Sequence, residues 1–439
     1  MIKIKAVGGY SEFGRNMTAV RVDDEVVIID MGLHMENYIR LQGDEDGDKI
    51  STKRLLQENA IPYFPLIDDW KKDVKAIIPT HAHLDHVGAI PHIASKFDAE
   101  ILCTPFTAEV IKAISSDKRI KLKNKIKPIN PNANYKISDN ITAEFIHVTH
   151  STPQTAMIAL HTPYGTIVYA NDFKFDSQPV LGARPNFERL KSIDYVRGLI
   201  VDCTRAWDEK KTPSETVVKE MLRDVLLGVD SGGKLVVVTT FASHLARLKT
   251  IIEMGKQLGR KVVMLGRSLD KYVSAGEAAE VIDFSDIERV KFRDKIRKKL
   301  KVVMQRPQDY LLIVTGHQGE PEAILANMVY GNLKFPFRKE DQVIFSCSVI
   351  PNDENIKNRE ELELKLKEKH VRIFKDIHAS GHAAREELRD LLNMLKPKDL
   401  IPAHGHREMM ESFRELAKSM GYTDEQLHLI KNGETVKLD

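Results

Sequence analysis

A chain of 439 residues with 42% hydrophobic content is long enough for two domains and can bury a substantial core. Its net charge of +3 is the small remainder of 66 basic and 63 acidic residues, so overall charge neither demands nor excludes a nucleic-acid partner. No apolar run reaches the roughly 18 residues of a membrane span, and Cys103, Cys203 and Cys347 lie too far apart for a CxxC pair, which argues against a disulfide framework or a thiolate zinc site.

The opening "MIKIKAVGGY" lacks the basic, apolar and small-residue succession of a secretory leader and already alternates like a strand, so a cytoplasmic protein is expected. Short strands and turns follow in "MTAVRV", "EVVIIDMG" and "VKAIIPTH", then helical "GAIPHIASKF" and the strand "AEILCTP". Residues 35 to 70 read as an irregular polar segment, a loop or lid. Its "GDEDGDK" matches calcium-loop spacing only superficially, because the glycine comes too early and the closing Glu is absent. The stretches "ITAEFIHVTH", "TAMIALHTP" and "GTIVYANDF" predict three more strands whose ends carry His or Asp.

From about Arg205 the pattern changes. "SETVVKEMLRDVLLG", "KLVVVTTF", "SHLARLKTIIEMGKQLG", "KVVMLG", "YLLIVTG" and "DQVIFSCSV" alternate helix with apolar strand, as in a parallel sheet flanked by helices. Within it "GVDSGGK" satisfies GxxxxGK, but Leu235 stands where Ser or Thr should hold magnesium and the strand follows the loop, so no nucleotide site is expected. After the charged helix "ENIKNREELELKLKEK", metal-type residues return in "HASGHAAREEL" and "IPAHGH", which makes the middle region an insertion.

The densest chemistry is "THAHLDH". His81 and His83, two apart, point the same way from an extended strand end, whereas Asp85 and His86 turn the other way as a helix begins. One loop can thus serve two divalent ions, which in such sites lie about 3.5 to 4 Å apart and clamp a hydroxide against a phosphate. Imidazole and carboxylate without thiolate suit zinc, with manganese as competitor. Any one of these histidines would be as readily explained as a satisfied core residue; their clustering is not. Further candidates sit at strand ends: His150 in "HVTHSTPQTA", Asp172 in "YANDFKFD" and His404 in "IPAHGH".

Together these residues resemble the metallo-β-lactamase superfamily, which implies an α/β fold, an αββα sandwich with metals at one edge of its sheets. Asp30 in "VVIIDMG" matches the first motif, "HAHLDH" the second, His150 the third and Asp172 the fourth. "GLIVDCTRA" with Asp202, "HASGHA" with His382 and "PAHGH" with His404 resemble the three extra motifs of the β-CASP nucleases, and "TGHQGEPEA" resembles the glycine-rich loop of the ribonuclease J branch. The resemblance covers nearly the whole chain, in order, and is to the short form without the extra C-terminal domain of many bacterial members. It divides the chain into a metallo-β-lactamase domain over 1–205, an inserted β-CASP domain over 206–360 and the returning part over 361–439. Two positions depart from the family pattern: His317 replaces the usual serine of the glycine-rich loop, and His406 follows Gly405 where the last motif commonly reads HGE.

Residue by residue, the resemblance implies two zinc ions per chain, with manganese as a substitute. One would be held by His81, His83, His150 and Asp172, the other by Asp85, His86, Asp172 and His404, with Asp172 bridging. The implied chemistry is in-line attack of hydroxide on phosphorus. Asp85 and His382 belong to the implied catalytic group, His382 as donor to the departing 3′-oxygen, while Asp30 and Asp202 orient ligands. His317, Gln318, Gly319, Ser380, Gly381 and His382 would receive a terminal phosphate on backbone N–H groups. The plainer reading of the same residues is that the glycines form turns and Ser380 caps the following helix.

Two basic runs, "DKRIKLKNKIK" and "ERVKFRDKIRKKLK", are candidates for tracking an RNA backbone, although such runs are usually solvated faces. Phe241, Ser243 and His244 stand at a strand end in the inserted region, where Ser243 would equally serve as a helix cap. The expected function is a metal-dependent 5′-to-3′ exonuclease on single-stranded RNA with a 5′ monophosphate, with endonucleolytic cleavage as a second activity and a homodimer as the assembly. The alternatives are a β-CASP endoribonuclease of RNA processing, whose archaeal relatives usually carry an N-terminal RNA-binding extension, and a non-catalytic RNA-binding member, which loss of ligands would have announced. No membrane partner is expected.

Overall fold

A computed structural model describes residues 1–44, 50–350 and 352–438, divided between two compact units. The first comprises Met1–Ser177, Ala183–Thr212 and Gly381–Asp439; the second comprises Gln178–Gly182 and Pro213–Ser380. In chain order the first unit opens with β1 (Ile2–Gly8), β2 (Met17–Val22), β3 (Glu25–Ile29), β4 (Val74–Ile78), β5 (Glu100–Cys103) and β6 (Ile126–Pro128). It continues with β7 (Asn134–Lys136), β8 (Thr142–His147), β9 (Ala156–Thr162), β10 (Gly165–Ala170) and β11 (Val196–Asp202). The second unit holds β12 (Val236–Thr239), β13 (Lys261–Leu265), β14 (Glu288–Val290), β15 (Tyr310–Val314), β16 (Gln342–Phe345) and β17 (Arg372–Phe374), after which β18 (Asp399–Ala403) and β19 (Thr435–Leu438) return to the first.

The first unit carries two sheets, ordered β19-β1-β2-β3-β4-β5-β6 and β18-β11-β10-β9-β8-β7. Alternation in β1 sends Ile2 and Ile4 inward with Val20, Val27 and Ile78, and they meet Phe145, Ile158, Tyr169, Ile200 and Ile401 from the other sheet. Each such side chain, fully buried, contributes about 1.5 to 3 kcal/mol. The outer face of the second sheet, with Ile146, Val168 and Val201, is covered by Leu388 and Leu391 of the helix Arg385–Leu395 and Phe413 of the helix Arg407–Ser419. The result is the metallo-β-lactamase sandwich with its inserted domain.

The second unit is a parallel sheet, β14-β13-β15-β12-β16-β17, with helices between its strands. By its contacts this unit runs to Ser380, because β17 pairs with β16 (Gln342↔Arg372, Ile344↔Phe374) and so carries the following residues with it. It begins at Pro213; Arg205 bridges Ala384 and the Thr212 amide donates to Glu387 Oε2 at 2.8 Å within the first unit.

The stretch read as an irregular loop or lid from 35 to 70 is largely helical: Met35–Asp44, Thr52–Gln57 capped by Ser51, and the 3-10 segment Phe64–Asp73. Leu55, Ile67 and Trp70 are buried there at irregular spacing, a pattern that periodicity alone does not reveal. Residues 45–49, the heart of the acidic run, lie outside the described residues. Likewise Ser243 and Ser380 are not the caps considered from sequence. The helix Leu245–Gln257 is capped by His244, whose Nδ1 accepts from the Arg247 amide, and the helix after "HASGHA" begins only at Arg385.

Candidate functional site

Strand ends place the candidate residues. Asp30 follows β3, His81 follows β4, Asp172 follows β10, Asp202 ends β11 and His404 follows β18. Asp30, Asp172 and His404 turn off their strands in the left-handed region, with φ of 61°, 54° and 54°, a conformation uncommon outside glycine and concentrated at functional sites. His83 ends the extended run, and the short helix Leu84–Val87 then carries Asp85 and His86.

Two sets of side chains converge within the first unit. Ligand-type atoms of His81, His83, His150 and Asp172 lie within 4.8 Å of one another, as do those of Asp85, His86, Asp172 and His404, with Asp172 common to both sets. A third set, Asp172, Asp202 and His382, shares the same aspartate. Asp172 Oδ2 stands 3.5 Å from His81 Nε2 and 3.6 Å from His150 Nε2, while its Oδ1 stands 3.3 Å from His86 Nε2 and 3.6 Å from His404 Nε2.

Outer partners set which ring nitrogen is free. His86 Nδ1 donates to Asp30 Oδ2 at 2.8 Å, and Asp30 also accepts from the Thr80 amide at 2.8 Å. His150 Nδ1 donates to the Gly381 carbonyl at 2.7 Å, and His382 Nδ1 to Asp202 Oδ2 at 2.7 Å. In each case Nε2 faces the cluster, the arrangement by which a protein fixes the tautomer of a ligating imidazole.

Burial holds His81 and His150 well below the ordinary imidazole range and lowers His83 to about 4. The same burial is outweighed at His86 by Asp172, Asp30 and Asp85, which hold it well above that range. At His382 it is outweighed by Asp202 and then Asp172, raising the group to about 9. Burial also opposes ionisation of Asp172, yet His404 and His86 beside it keep the carboxyl well below its ordinary value.

The donor set fits a divalent metal. Asp172 Oδ1 and His404 Nε2 are both buried with no hydrogen-bond partner among the described residues, and a cation between them would satisfy both. Imidazole nitrogens with carboxylates suit zinc or manganese. The nearby Cys203 thiol donates to the Ala403 carbonyl and is not aimed at the cluster.

Of the residues expected to bind phosphate, Gly381 and His382 belong to the first unit and His317, Gln318, Gly319 and Ser380 to the second. His317 packs its ring 4.1 Å from that of Phe241, burial lowers its pKa, and its carbonyl accepts from Arg359 Nη1 at 2.7 Å. Gln318 donates to the Ser348 carbonyl and accepts from the Ile350 amide, so its side chain braces that neighbouring segment. Gly319 lies against the backbone of Asn358, where a Cβ would come within 2.5 Å.

Sequence reasoning missed Asn16. It is 1% exposed and contacts His86, His404 and the backbone of Asp85, but in "GRNMTAV" it is only a polar residue ahead of a strand, with no ligand spacing to mark it.

Residues 10–218 match the family described as the metallo-beta-lactamase superfamily, residues 233–361 the ribonuclease J beta-CASP domain, and residues 369–427 the Zn-dependent metallo-hydrolase RNA specificity domain. The chain is 40% identical to a ribonuclease J of Methanocaldococcus jannaschii, covering 100% of this chain and 99% of that protein, and 40% identical to one of Pyrococcus abyssi, covering 100% and 97%. A ribonuclease J of Mycoplasma pneumoniae is 30% identical over 99% of this chain and 73% of its own length. A crystal structure of a protein of unknown function from Enterococcus faecalis superposes with a TM-score of 0.67 at 16% identity, covering 99% of each chain, a likeness of fold.

Proposed function

The chain belongs to the ribonuclease J family, and from that premise we propose that it is a 5′-to-3′ exoribonuclease acting on single-stranded RNA with a 5′ monophosphate. The observation that carries the reading is Asp172, shared by two histidine-rich sets and left with an unsatisfied buried oxygen. Two zinc ions, for which manganese can substitute, would be held by His81, His83, His150 and Asp172 and by Asp85, His86, Asp172 and His404; when bound they supply Lewis-acid charge for hydrolysis of a phosphodiester.

The chain's own groups do the rest. Asp30 and Asp202 keep the His86 and His382 rings oriented through their Nδ1 hydrogens. His382, its proton stabilised by Asp202, presents Nε2–H 4.0 Å from Asp172 Oδ2 and donates that proton to the departing 3′-oxygen. Within the second unit the glycine-rich turn around Gly319, where Gln318 braces the segment at Ser348 and Ile350, receives the terminal phosphate. The exposed lysines 295, 298 and 301 of the helix Arg293–Gln305, beside exposed Phe292, follow the RNA backbone.

The test is degradation of one 5′-labelled single-stranded RNA bearing a monophosphate, triphosphate or hydroxyl end, by wild type and His83→Ala in parallel. Immediate release of labelled mononucleotide, fastest from the monophosphate and absent in the mutant, is the expected result. Internal fragments indifferent to the 5′ group would make the chain an endonuclease, and full activity in His83→Ala would overturn the metal-dependent mechanism.

A further inference from the structure

We propose that Asn16 is a positioning residue that sets the geometry of the group Asp85, His86, Asp172 and His404, so that its side-chain amide governs whether that group holds an ion. The inference rests on the two-ion reading above and goes beyond it by assigning a role to a residue outside every motif.

Asn16 ties together segments far apart in the chain. Its Nδ2 donates to the Asp85 carbonyl at 3.1 Å and stands 3.1 Å from His86 Nε2. Its Oδ1 accepts from His404 Nδ1 at 2.9 Å and from Asn171 Nδ2 at 3.4 Å. Its backbone joins the same assembly, the amide donating to the Asp85 carbonyl at 3.0 Å and the carbonyl accepting from the Gly32 amide at 3.0 Å. A buried asparagine kept only to close a turn would satisfy its immediate neighbours; this one reaches His86 and His404, 70 and 388 residues away.

The orientation of the amide is fixed by chemistry. The Asp85 carbonyl can only accept, so the NH₂ group must face it and Oδ1 must face His404. An accepting Oδ1 requires the hydrogen of His404 on Nδ1, which leaves a lone pair on Nε2. That Nε2 is the orphaned buried atom 3.6 Å from Asp172 Oδ1 and 3.7 Å from Asp85 Oδ2. One amide therefore holds the Asp85 backbone and selects the ligand tautomer of His404. The surroundings leave room for little else: a Cβ on Gly9, whose φ is +86°, would stand 2.3 Å from Asn16 Oδ1, and a Cβ on Gly32 would stand 1.5 Å from the Asp85 carbonyl oxygen.

The experiment counts zinc ions retained per full-length chain by elemental analysis, across a series of chelator concentrations, for wild type, Asn16→Ala and Asn16→Asp. Circular dichroism of each protein without metal accompanies the count. Wild type is expected to hold two ions. Asn16→Ala should keep the ion of the His81, His83, His150 and Asp172 group and release the other at a chelator strength about 10- to 100-fold lower. Asn16→Asp keeps the acceptor for His404 Nδ1 but sets a carboxylate oxygen against the Asp85 carbonyl, so it too should release the second ion at a lower chelator strength than wild type. Should the alanine variant fail to fold, early release of the second ion by folded Asn16→Asp supports the proposal, and wild-type retention by that variant overturns it. Two ions held by folded Asn16→Ala with unchanged affinity would overturn the role of Asn16 alone, whereas a wild-type chain that binds a single ion would overturn the two-ion reading on which it stands.

Discussion

Replacing Asp30 by Asn tests how far the outer shell controls the site. Asp30 is fully buried with φ at +61°, a conformation Asn adopts as readily as Asp, so the backbone is undisturbed. One carboxylate oxygen accepts from the Thr80 amide at 2.8 Å and hydroxyl at 3.0 Å; the other accepts from His86 Nδ1 at 2.8 Å. In the Asp30→Asn variant the side-chain carbonyl oxygen must stay on the Thr80 amide, which is only a donor, and the NH₂ group then meets the Nδ1 hydrogen of His86. Two donors cannot pair, so His86 moves its hydrogen to Nε2, where a ligand lone pair is needed. Loss of such a partner weakens metal binding about 10- to 100-fold, or about 1.4 to 2.8 kcal/mol at 1.4 kcal/mol per factor of ten. Folding without metal should lose only about 1 kcal/mol, the difference between a charge-assisted and a neutral hydrogen bond. Chelator competition and thermal melting of the metal-free protein measure the two separately. Unchanged ion affinity in Asp30→Asn would refute the idea that Asp30 sets the His86 tautomer.

Three further outcomes are expected. A Cβ at position 381 would lie 2.6 Å from His150 Cε1 and 2.7 Å from its Nδ1, so Gly381→Ala should displace that ring and lower RNA turnover at least as much as an outer-shell loss, about 10- to 100-fold, read in a single-turnover assay. Buried Glu144, whose unfavourable burial is outweighed by His161 at 2.7 Å and Arg189 at 2.6 Å, has its pKa lowered to about 2. Because the folded value lies below the unfolded one, its stabilisation is complete above about pH 4.5 and lost as pH falls toward 2, so Glu144→Gln should remove on the order of 2 kcal/mol at pH 7 and flatten the acid limb of a urea-denaturation series. Finally, changing Lys295, Lys298 and Lys301 together to Ala should reduce the salt dependence of single-stranded RNA binding by about 2 in the log–log slope, at about 0.7 per phosphate contact; an unchanged slope would remove this helix from the RNA path.

Local chemistry and residue order carried the fold class and the family. The alternation of β1, the apolar strands from β12 to β16 and the compact "HAHLDH" loop each follow from neighbours a few residues apart, the range over which backbone geometry and side-chain period act. The helices within 35–70 were not legible, because their buried residues answer to the surface they pack on and not to a regular period. The cap at His244, the end of the second unit at Ser380 and the bracing role of Gln318 likewise depend on partners distant in the chain. Asn16 shows the limit most clearly. The sequence alone determines that ligand-type residues stand at successive strand ends, but which nitrogen of His86, His150, His382 and His404 is free depends on Asp30, Gly381, Asp202 and Asn16, and the separation of 388 positions from Asn16 to His404 is closed only when the strands that carry them fold into one sandwich.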